Sequence, residues 1–158
     1  MATTDIAAQK QLPIVKFLCE EVFGEYTDRD HMHAEAGTLQ VDRIYEMYEA
    51  KMHNTQIDSV PGRDLKDGKE CKFRTLSERV NKSNKTEFFF YVSKKELSNK
   101  TGDILIGGVN HITNTFDRFR IPKEYFDKGL KSVWINLSRK NKGYGKFNMY
   151  LISSVCYE

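Results

Sequence analysis

Apolar residues in the first third of the chain recur at helical spacing. One set of them predicts a short amphipathic helix over residues 13–23, with Gly24 just beyond its end: Ile14, Phe17, Leu18 and Val22. The polar residues 25–33 predict a loop. A second apolar set predicts a longer helix over about residues 34–52: Val41, Ile44, Tyr45, Tyr48 and Met52. On this second helix, Asp42, Glu46 and Glu49 share a different face.

From residue 56 onward the pattern changes to the short alternations of β-strands. Residues 56–60 predict one strand, Asp67-Gly68 a tight turn, and residues 69–76 a second strand. In the second strand, apolar or small side chains alternate with charged ones: Cys71, Phe73 and Thr75 against Glu70, Lys72 and Arg74. We therefore expect a hairpin with one packed face and one charged groove face.

The remaining apolar runs predict buried strands. Residues 87–92 are too continuously apolar for an exposed strand and should be central, and residues 103–109 predict another buried strand. A short helix should begin at Pro122 and run to about residue 130. Residues 132–137 and 147–155 predict a late hairpin. The predicted fold class is α/β (α+β), a central mixed β-sheet flanked by helices, in a single domain over residues 1–158, with N-terminal helices over about 13–52 and the hairpin and sheet over about 56–158.

Composition excludes several classes of protein. Charged residues and Pro13 interrupt every apolar run among the first sixty residues, so neither a signal peptide nor a membrane span is predicted and we expect a cytoplasmic protein. The three cysteines, Cys19, Cys71 and Cys156, form no CxxC pair, which argues against a disulfide framework and a thiolate zinc site. We expect them to be reduced and buried.

The charge is unevenly distributed along the chain. Residues 1–60 carry 5 Lys/Arg and 11 Asp/Glu, a net charge of −6, whereas residues 61–158 carry 20 and 11, a net charge of +9. Concentrated positive charge favours a polyanion such as nucleic acid, because binding releases the counterions that condense on phosphates. An ordinary solvated basic face would show the same charge.

Three residues near the predicted tight turn have the chemistry of a metal-dependent nuclease. Hydrolysis of a phosphodiester with Mg²⁺ requires hard oxygen ligands and a cation near the attacking water, which Asp64, Glu70 and Lys72 provide. A hairpin would bring the two carboxylates together across neighbouring strands, and alternation places Lys72 on the face of Glu70. Cys71 would point into the core and leave its backbone carbonyl as a further metal ligand.

At these residues, segment 60–72 (VPGRDLKDGKECK) resembles the PD-(D/E)XK nuclease superfamily, which includes type II restriction endonucleases. The resemblance implies a restriction-endonuclease-like fold, an endonuclease that cleaves double-stranded DNA with Mg²⁺ or Mn²⁺, and a homodimer where both strands are cut. It implies that Asp64 and Glu70 bind the metal and that Lys72 positions the attacking water. Glu46, in the segment IYEMY, is similar to the acid that family members often place on a preceding helix.

The sequence leaves the first metal ligand open. Pro61 lies three residues before Asp64 rather than directly before it, so Asp58 is a rival for that position. The D/E-x-K pattern occurs four times, but only the match from Glu70 to Lys72 opens a predicted strand after an acidic residue. The alternative is a solvated strand face whose charges form cross-strand pairs.

A second candidate surface lies in the basic C-terminal part. Residues 118–146 contain nine Lys/Arg and two acidic residues, and seven of the cations are candidates for binding nucleic acid: Arg118, Arg120, Lys123, Arg139, Lys140, Lys142 and Lys146. Trp134 and the run Phe88–Phe90 lie in apolar strands and are expected in the core rather than on a base-stacking surface. The other functions compatible with this sequence are a non-catalytic nucleic-acid-binding protein and a protein-interaction module.

Overall fold

A computed structural model describes residues 6–58, 64–97, 102–138, 140–141 and 143–158 of the chain. Within these residues three α-helices precede seven β-strands, which form two sheets. The fold is therefore α+β, as predicted. The sheets and the helices enclose two hydrophobic clusters, one on either face of the larger sheet.

The first helix is longer than expected. Helix α1 spans Ile6–Phe23, so that Pro13 lies inside it rather than in its first turn. The residues before the proline are good helix formers, which favours extension of the helix towards the N-terminus even though an interior proline removes one backbone hydrogen bond. The helix ends at Gly24, which has a φ of +80° that an L side chain adopts only with strain.

The loop predicted over residues 25–33 is wrong because most of it is helical, and the helix predicted over about 34–52 begins too early. Helix α2 spans Asp28–Glu35 and helix α3 spans Val41–Met52. A capping box starts α2: Thr27 Oγ1 accepts from the Asp30 amide at 3.0 Å, and the Asp30 carboxylate accepts from the Thr27 amide at 3.1 Å. Gly37, with a φ of +71°, follows the end of α2 and separates it from α3, so residues 34–52 do not form one helix.

The seven strands have the bounds that follow. Strand β1 is Glu70–Thr75, β2 is Ser77–Val80, β3 is Thr86–Val92, β4 is Ile104–Asn110, β5 is Thr115–Ile121, β6 is Val133–Leu137 and β7 is Leu151–Cys156. Short 3-10 turns lie at Lys94–Leu97, Lys123–Phe126 and Gly145–Tyr150. The predicted helix after Pro122 is one of these short turns.

The larger sheet has the order β1-β4-β5-β7 and is mixed, because β1 pairs with β4 in parallel and the other neighbours are antiparallel. The smaller sheet is antiparallel, with the order β2-β3-β6, so β3 is central as predicted. Only Leu76 separates β1 from β2, and the chain passes there from one sheet to the other. Arg74 reinforces this junction, since its Nε donates to the Tyr91 carbonyl at 2.9 Å.

Several strand predictions differ from the structure. The late strands do not form a hairpin, because β6 pairs with β3 and β7 pairs with β5 in different sheets. Strand β5 was not predicted, since its polar residues Asp117 and Arg118 mask its apolar alternation. Within predicted strand 56–60, the described residues form one isolated bridge, Ile57 to Leu65, and residues 59 and 60 lie outside the described residues.

Two adjacent glycines let rings approach both faces of β4. A Cβ at Gly107 would overlap the ring of Tyr45, and a Cβ at Gly108 would lie 2.5 Å from Cζ of Phe90. Tyr45 belongs to the cluster under the helices, and Phe90 to the cluster between the sheets. The glycine pair therefore sets the packing distance on both faces of the sheet.

The expected core is correct only in part. Phe90 is buried and Phe88 packs against the cluster between the sheets, but Trp134 is 38% exposed. Cys19 and Cys71 are buried as expected, whereas Cys156 is exposed, and all three are free thiols. Among the described residues, no helix combines the length and the apolar character needed to cross a membrane.

Candidate active site at the edge of β1

A tight turn brings the acidic residues of the candidate motif to the start of β1. The Gly68 amide donates to the Leu65 carbonyl at 3.0 Å, and the Leu65 amide donates to the Lys69 carbonyl at 3.1 Å. Gly68 has a φ of +93°, which glycine adopts without strain. The turn predicted at Asp67-Gly68 is thus confirmed, and it returns the chain so that residues 64 and 71 become neighbours.

The carboxylate of Asp64 is bonded to the backbone of β1. Its Oδ2 accepts from the Cys71 amide at 2.7 Å. The Glu70 amide donates to the Asp103 carbonyl at 3.0 Å on the β4 side, so alternation along the strand directs the Cys71 amide and carbonyl away from β4. The Asp64 carboxylate therefore lies at the free edge of β1, next to the Glu70–Lys72 segment of the motif.

Glu46 approaches the same edge from helix α3. Its side chain is 18% exposed, and Arg43 Nη1 donates to its Oε2 at 3.0 Å. Burial raises the pKa of Glu46, and the negative charge of Asp64 raises it further, while the hydrogen bond from Arg43 opposes both. Glu46 and Asp64 are therefore close enough for their charges to repel one another.

Glu70 and Lys72 extend from the other face of β1. They lie opposite Ile104 and Ile106 of β4, whose side chains belong to the cluster between the sheets, whereas Cys71 lies opposite Leu105 of the helix-side cluster. Glu70 is 7% exposed and Lys72 is half-buried. The charged face of β1 is therefore partly covered rather than an open groove, because the smaller sheet lies over it.

The predicted quartet thus divides into two pairs. Asp64 is bonded to the Cys71 amide and lies near enough to Glu46 to influence its charge, whereas Glu70 and Lys72 lie on the opposite face of the same strand. The expected hairpin between residues 56–60 and β1 does not form in the described residues, since β1 pairs with β4 instead. The rival acid Asp58 is also near, because its amide donates to the Asp64 carbonyl at 2.9 Å.

Cys71 could bind a metal ion through its backbone carbonyl but not through its thiol group. Burial raises the pKa of its thiol far above the usual range, and the charges of Glu49, Asp64 and Glu46 raise it further. The thiol is therefore protonated at neutral pH. Strand alternation directs its backbone carbonyl towards the free edge of β1.

The oxygen atoms at this edge suit a hard cation. Mg²⁺ is commonly held by one or two carboxylates with water and substrate phosphate completing its coordination, and Asp64 and Glu46 supply two carboxylates beside the Cys71 carbonyl. A divalent cation would also relieve the repulsion that raises the pKa of Glu46. Among the described residues, no group of three or more His, Cys, Asp and Glu side chains is placed to hold a metal ion.

A buried ionic network under the helix side of the larger sheet was not predicted. Glu49 is fully buried, accepts from Tyr45 Oη at 2.6 Å and from Arg118 Nε at 3.1 Å, and lies 3.5 Å from His53 Nε2. Burial alone would raise the pKa of Glu49, but nearby His53 and the hydrogen bonds from Arg118 and Tyr45 outweigh it and lower the pKa. The available signal was the spacing of Tyr45 and Glu49, which places the acid one turn from a core residue.

The predicted nucleic-acid-binding cations have unequal access to a ligand. Arg118 was wrongly placed on the surface: it is 4% exposed and forms an ion pair with Glu49, so it cannot reach a phosphate. Arg120 is exposed but donates to Asp103 at 2.8 Å, and the Lys123 backbone donates to the same carboxylate at 3.0 Å. Lys140 and Lys146 are exposed, and Arg139 and Lys142 lie outside the described residues.

The chain matches no protein-family model, no curated protein and no solved structure. Its function is therefore inferred from the residues and the geometry described above.

Proposed function

We propose that this protein is a Mg²⁺-dependent endonuclease that hydrolyses phosphodiester bonds of double-stranded DNA. The observation that carries the proposal is the 2.7 Å hydrogen bond from the Cys71 amide to Asp64 Oδ2. It brings the first acid of the motif, seven positions away in sequence, to the Glu70-Cys71-Lys72 segment. The resemblance to the PD-(D/E)XK superfamily assigns chemistry to those same residues.

The proposed roles are those that the resemblance implies for these residues. Asp64, with the Cys71 carbonyl, forms the ligand set at the free edge of β1, Glu70 provides a carboxylate from the opposite face, and Glu46 assists from α3. Lys72 supports the attacking water or the charge that develops on the phosphate. When bound, Mg²⁺ would act as a Lewis acid on the phosphodiester.

The substrate is proposed from charge. The +9 net charge of residues 61–158 favours a polyanion, and Lys123, Lys140 and Lys146 are exposed cations within that region. Cleavage of both strands at a symmetric site would require two active sites, so we propose a homodimer.

Plasmid cleavage with isosteric variants tests the proposal. We expect Mg²⁺-dependent nicking or linearisation that EDTA abolishes, and a loss of about 100-fold or more in Asp64→Asn, Glu70→Gln and Lys72→Met. Asp64→Asn keeps an oxygen that can accept from the Cys71 amide, so it separates charge from structure. Glu46→Gln should have a smaller effect, in keeping with an assisting role.

Asp67→Asn is the matched control, because Asp67 lies in the same turn but pairs with Lys69 instead of Cys71. It should cleave as the unmodified protein does. Circular dichroism and thermal unfolding of each variant establish that it is folded. Undiminished cleavage by folded Glu70→Gln and Lys72→Met would remove this site from consideration.

A non-catalytic nucleic-acid-binding protein is the second candidate. It is favoured by the exposed cations Lys123, Lys140 and Lys146 and by the position of Glu70 and Lys72 on the face of β1 opposite to that of Cys71. This candidate predicts DNA retention that weakens with salt, is unchanged by EDTA and yields no product. Mg²⁺-dependent cleavage that requires Asp64 would eliminate it.

A further inference from the structure

Three aromatic side chains and an arginine form a continuous surface on the smaller sheet. The ring centroid of Trp134 lies 5.2 Å from that of Phe89 and 4.1 Å from that of Tyr91. The Arg79 guanidinium lies 5.0 Å from the Trp134 centroid and 5.3 Å from the Phe89 centroid. We call these four residues the aromatic face.

The aromatic face points away from the core. Strand register pairs Tyr91 with Trp134 on one side of the sheet, and the alternating residues Phe90 and Ile135 on the other side are buried. None of the three outer rings belongs to either core cluster of the described residues. Trp134 is 38% exposed and Phe89 and Tyr91 are half-buried, so the three rings together present apolar surface outside the core.

Arg79 supplies a cation at this surface. Its side chain is 53% exposed, and its Nε donates to Glu87 Oε2 at 2.9 Å. A guanidinium carries five N–H donors, so the bond to Glu87 uses one of them. The rings and the partner acid thus orient Arg79 over the face, where it can contact a phosphate in the bidentate geometry that arginine favours.

A cavity of about 320 Å³ adjoins the aromatic face and lies between the end of β6 and the 3-10 turn Gly145–Tyr150. Trp134 lines both, and the cavity adds the polar side chains of Asn136 and Ser138 and the cation of Lys146. This combination offers a ring for stacking, hydrogen-bonding groups and a cation next to one another. It matches the parts of a nucleotide: base, sugar and phosphate.

The charge around the face is complementary to a polyanion. The described residues of the segments that build this sheet and its edges, 77–97 and 128–146, contain nine Lys/Arg and three Asp/Glu. A surface for an apolar peptide or for a second copy would not require this excess of cations. Aromatic rings that carry stacked bases, next to cations that bind the backbone, are the usual means of holding a single strand on a sheet.

We infer that the aromatic face binds unpaired nucleotides of a nucleic acid strand, with a base stacked on Trp134 and phosphates held by Arg79 and Lys146. These residues lie outside the candidate active site. The inference therefore goes beyond the proposed cleavage reaction and does not depend on it. A strand held here would be single-stranded DNA or RNA, since both present the same bases and phosphates.

The chain contains a single tryptophan, Trp134, so its fluorescence reports directly on this surface. Trp134 fluorescence is followed in EDTA while one of four ligands is added: a 12-nucleotide single-stranded DNA, the same sequence as RNA, the matching duplex, or an abasic single strand. The comparison distinguishes base stacking from binding of the phosphate backbone. We expect quenching by one or both single strands and little by the abasic strand or the duplex. Equal quenching by the abasic strand would overturn base stacking.

Variants measured by the anisotropy of a labelled oligonucleotide complete the test. Trp134→Ala should weaken binding about 10-fold and Trp134→Phe should retain most of it, since a ring remains for stacking. Arg79→Gln and Lys146→Gln should weaken binding and lower its salt dependence. The matched controls are Phe23→Ala and Lys16→Gln, an exposed ring and an exposed cation on α1, which should leave binding unchanged.

Folding of each variant is verified by thermal unfolding. Unchanged affinity of a folded Trp134→Ala variant would overturn the inference, as would a Trp134-dependent dimer seen by light scattering together with no oligonucleotide binding. Because binding is measured without divalent metal, loss of cleavage in the Asp64 or Glu70 variants does not affect the result.

Discussion

Glu49 and Arg118 form a buried, two-pronged ion pair between helix α3 and strand β5. Arg118 Nε donates to one carboxylate oxygen of Glu49 at 3.1 Å, and a terminal amine donates to the other. The two side chains are 0% and 4% exposed, and Tyr45, Ser153 and His53 surround them. The pair therefore connects the helices to the larger sheet through a fully desolvated contact.

Removing one partner of this pair should destabilise the protein strongly. We expect Glu49→Gln or Arg118→Met to lower the free energy of unfolding by about 3–5 kcal/mol, because an uncompensated buried polar group or charge remains. The double variant Glu49→Met with Arg118→Met should lose less than the sum of the two single changes. Urea denaturation measures all three, with Arg120→Met as control.

Arg120→Met is a suitable control because Arg120 forms an exposed ion pair on the same strand as Arg118. Arg120 pairs with Asp103 at the surface and its side chain is 46% exposed, so its loss should cost about 0–1 kcal/mol. A cost for Arg118→Met as small as that for Arg120→Met would contradict the buried pair.

Acidification should remove the contribution of Glu49 to the free energy of unfolding. The pKa of Glu49 is lowered in the folded state from an ordinary value of 4.5, so the folded state binds its proton less readily than the unfolded state. Its stabilisation is fully present above about pH 4.5 and is lost as the pH falls through the folded-state pKa. The stability difference between the unmodified protein and Glu49→Gln, followed by denaturation from pH 7 to pH 3, should shrink below that point. A difference that grows on acidification would show the opposite shift.

The glycine pair of β4 should tolerate no side chain. We expect Gly108→Ala to lower the free energy of unfolding by about 1–3 kcal/mol, because its Cβ would lie 2.5 Å from Cζ of Phe90. Adding Phe90→Leu removes that overlap, so the double variant should be more stable than the sum of the single changes predicts. Thermal denaturation of the three variants completes the cycle, and strict additivity would argue against the overlap.

Asp64 should control the ionisation of Glu46. The negative charge of Asp64 contributes to the raised pKa of Glu46, second to burial, so Asp64→Asn should lower that pKa. NMR titration of the Glu46 side-chain carboxyl carbon measures the shift. Asp67→Asn should leave the pKa of Glu46 nearly unchanged, since Asp67 is paired with Lys69. If the pKa of Glu46 were the same in Asp64→Asn and in the unmodified protein, the two acids would lie too far apart to interact.

Local patterns in the sequence predicted the elements that depend on local chemistry. The turn at Asp67-Gly68, the strand predicted over residues 69–76, the central position of β3 and the buried strand β4 are confirmed, because turn residues and alternation act over a few positions. The helix boundaries around Thr27 and Gly37 were missed, although a capping box and a glycine mark them.

The sequence by itself determined the α+β class, the acids and the lysine that make the candidate motif, and the concentration of positive charge in residues 61–158. Tertiary structure alone decided how strands pair: β1 with β4 in parallel, and β6 and β7 in different sheets. It also decided that Arg118 is buried with Glu49 and that Trp134 faces outward. Strand pairing and charge burial depend on residues far apart in the chain, since Glu49 and Arg118 are separated by 69 positions, and no local pattern records such contacts.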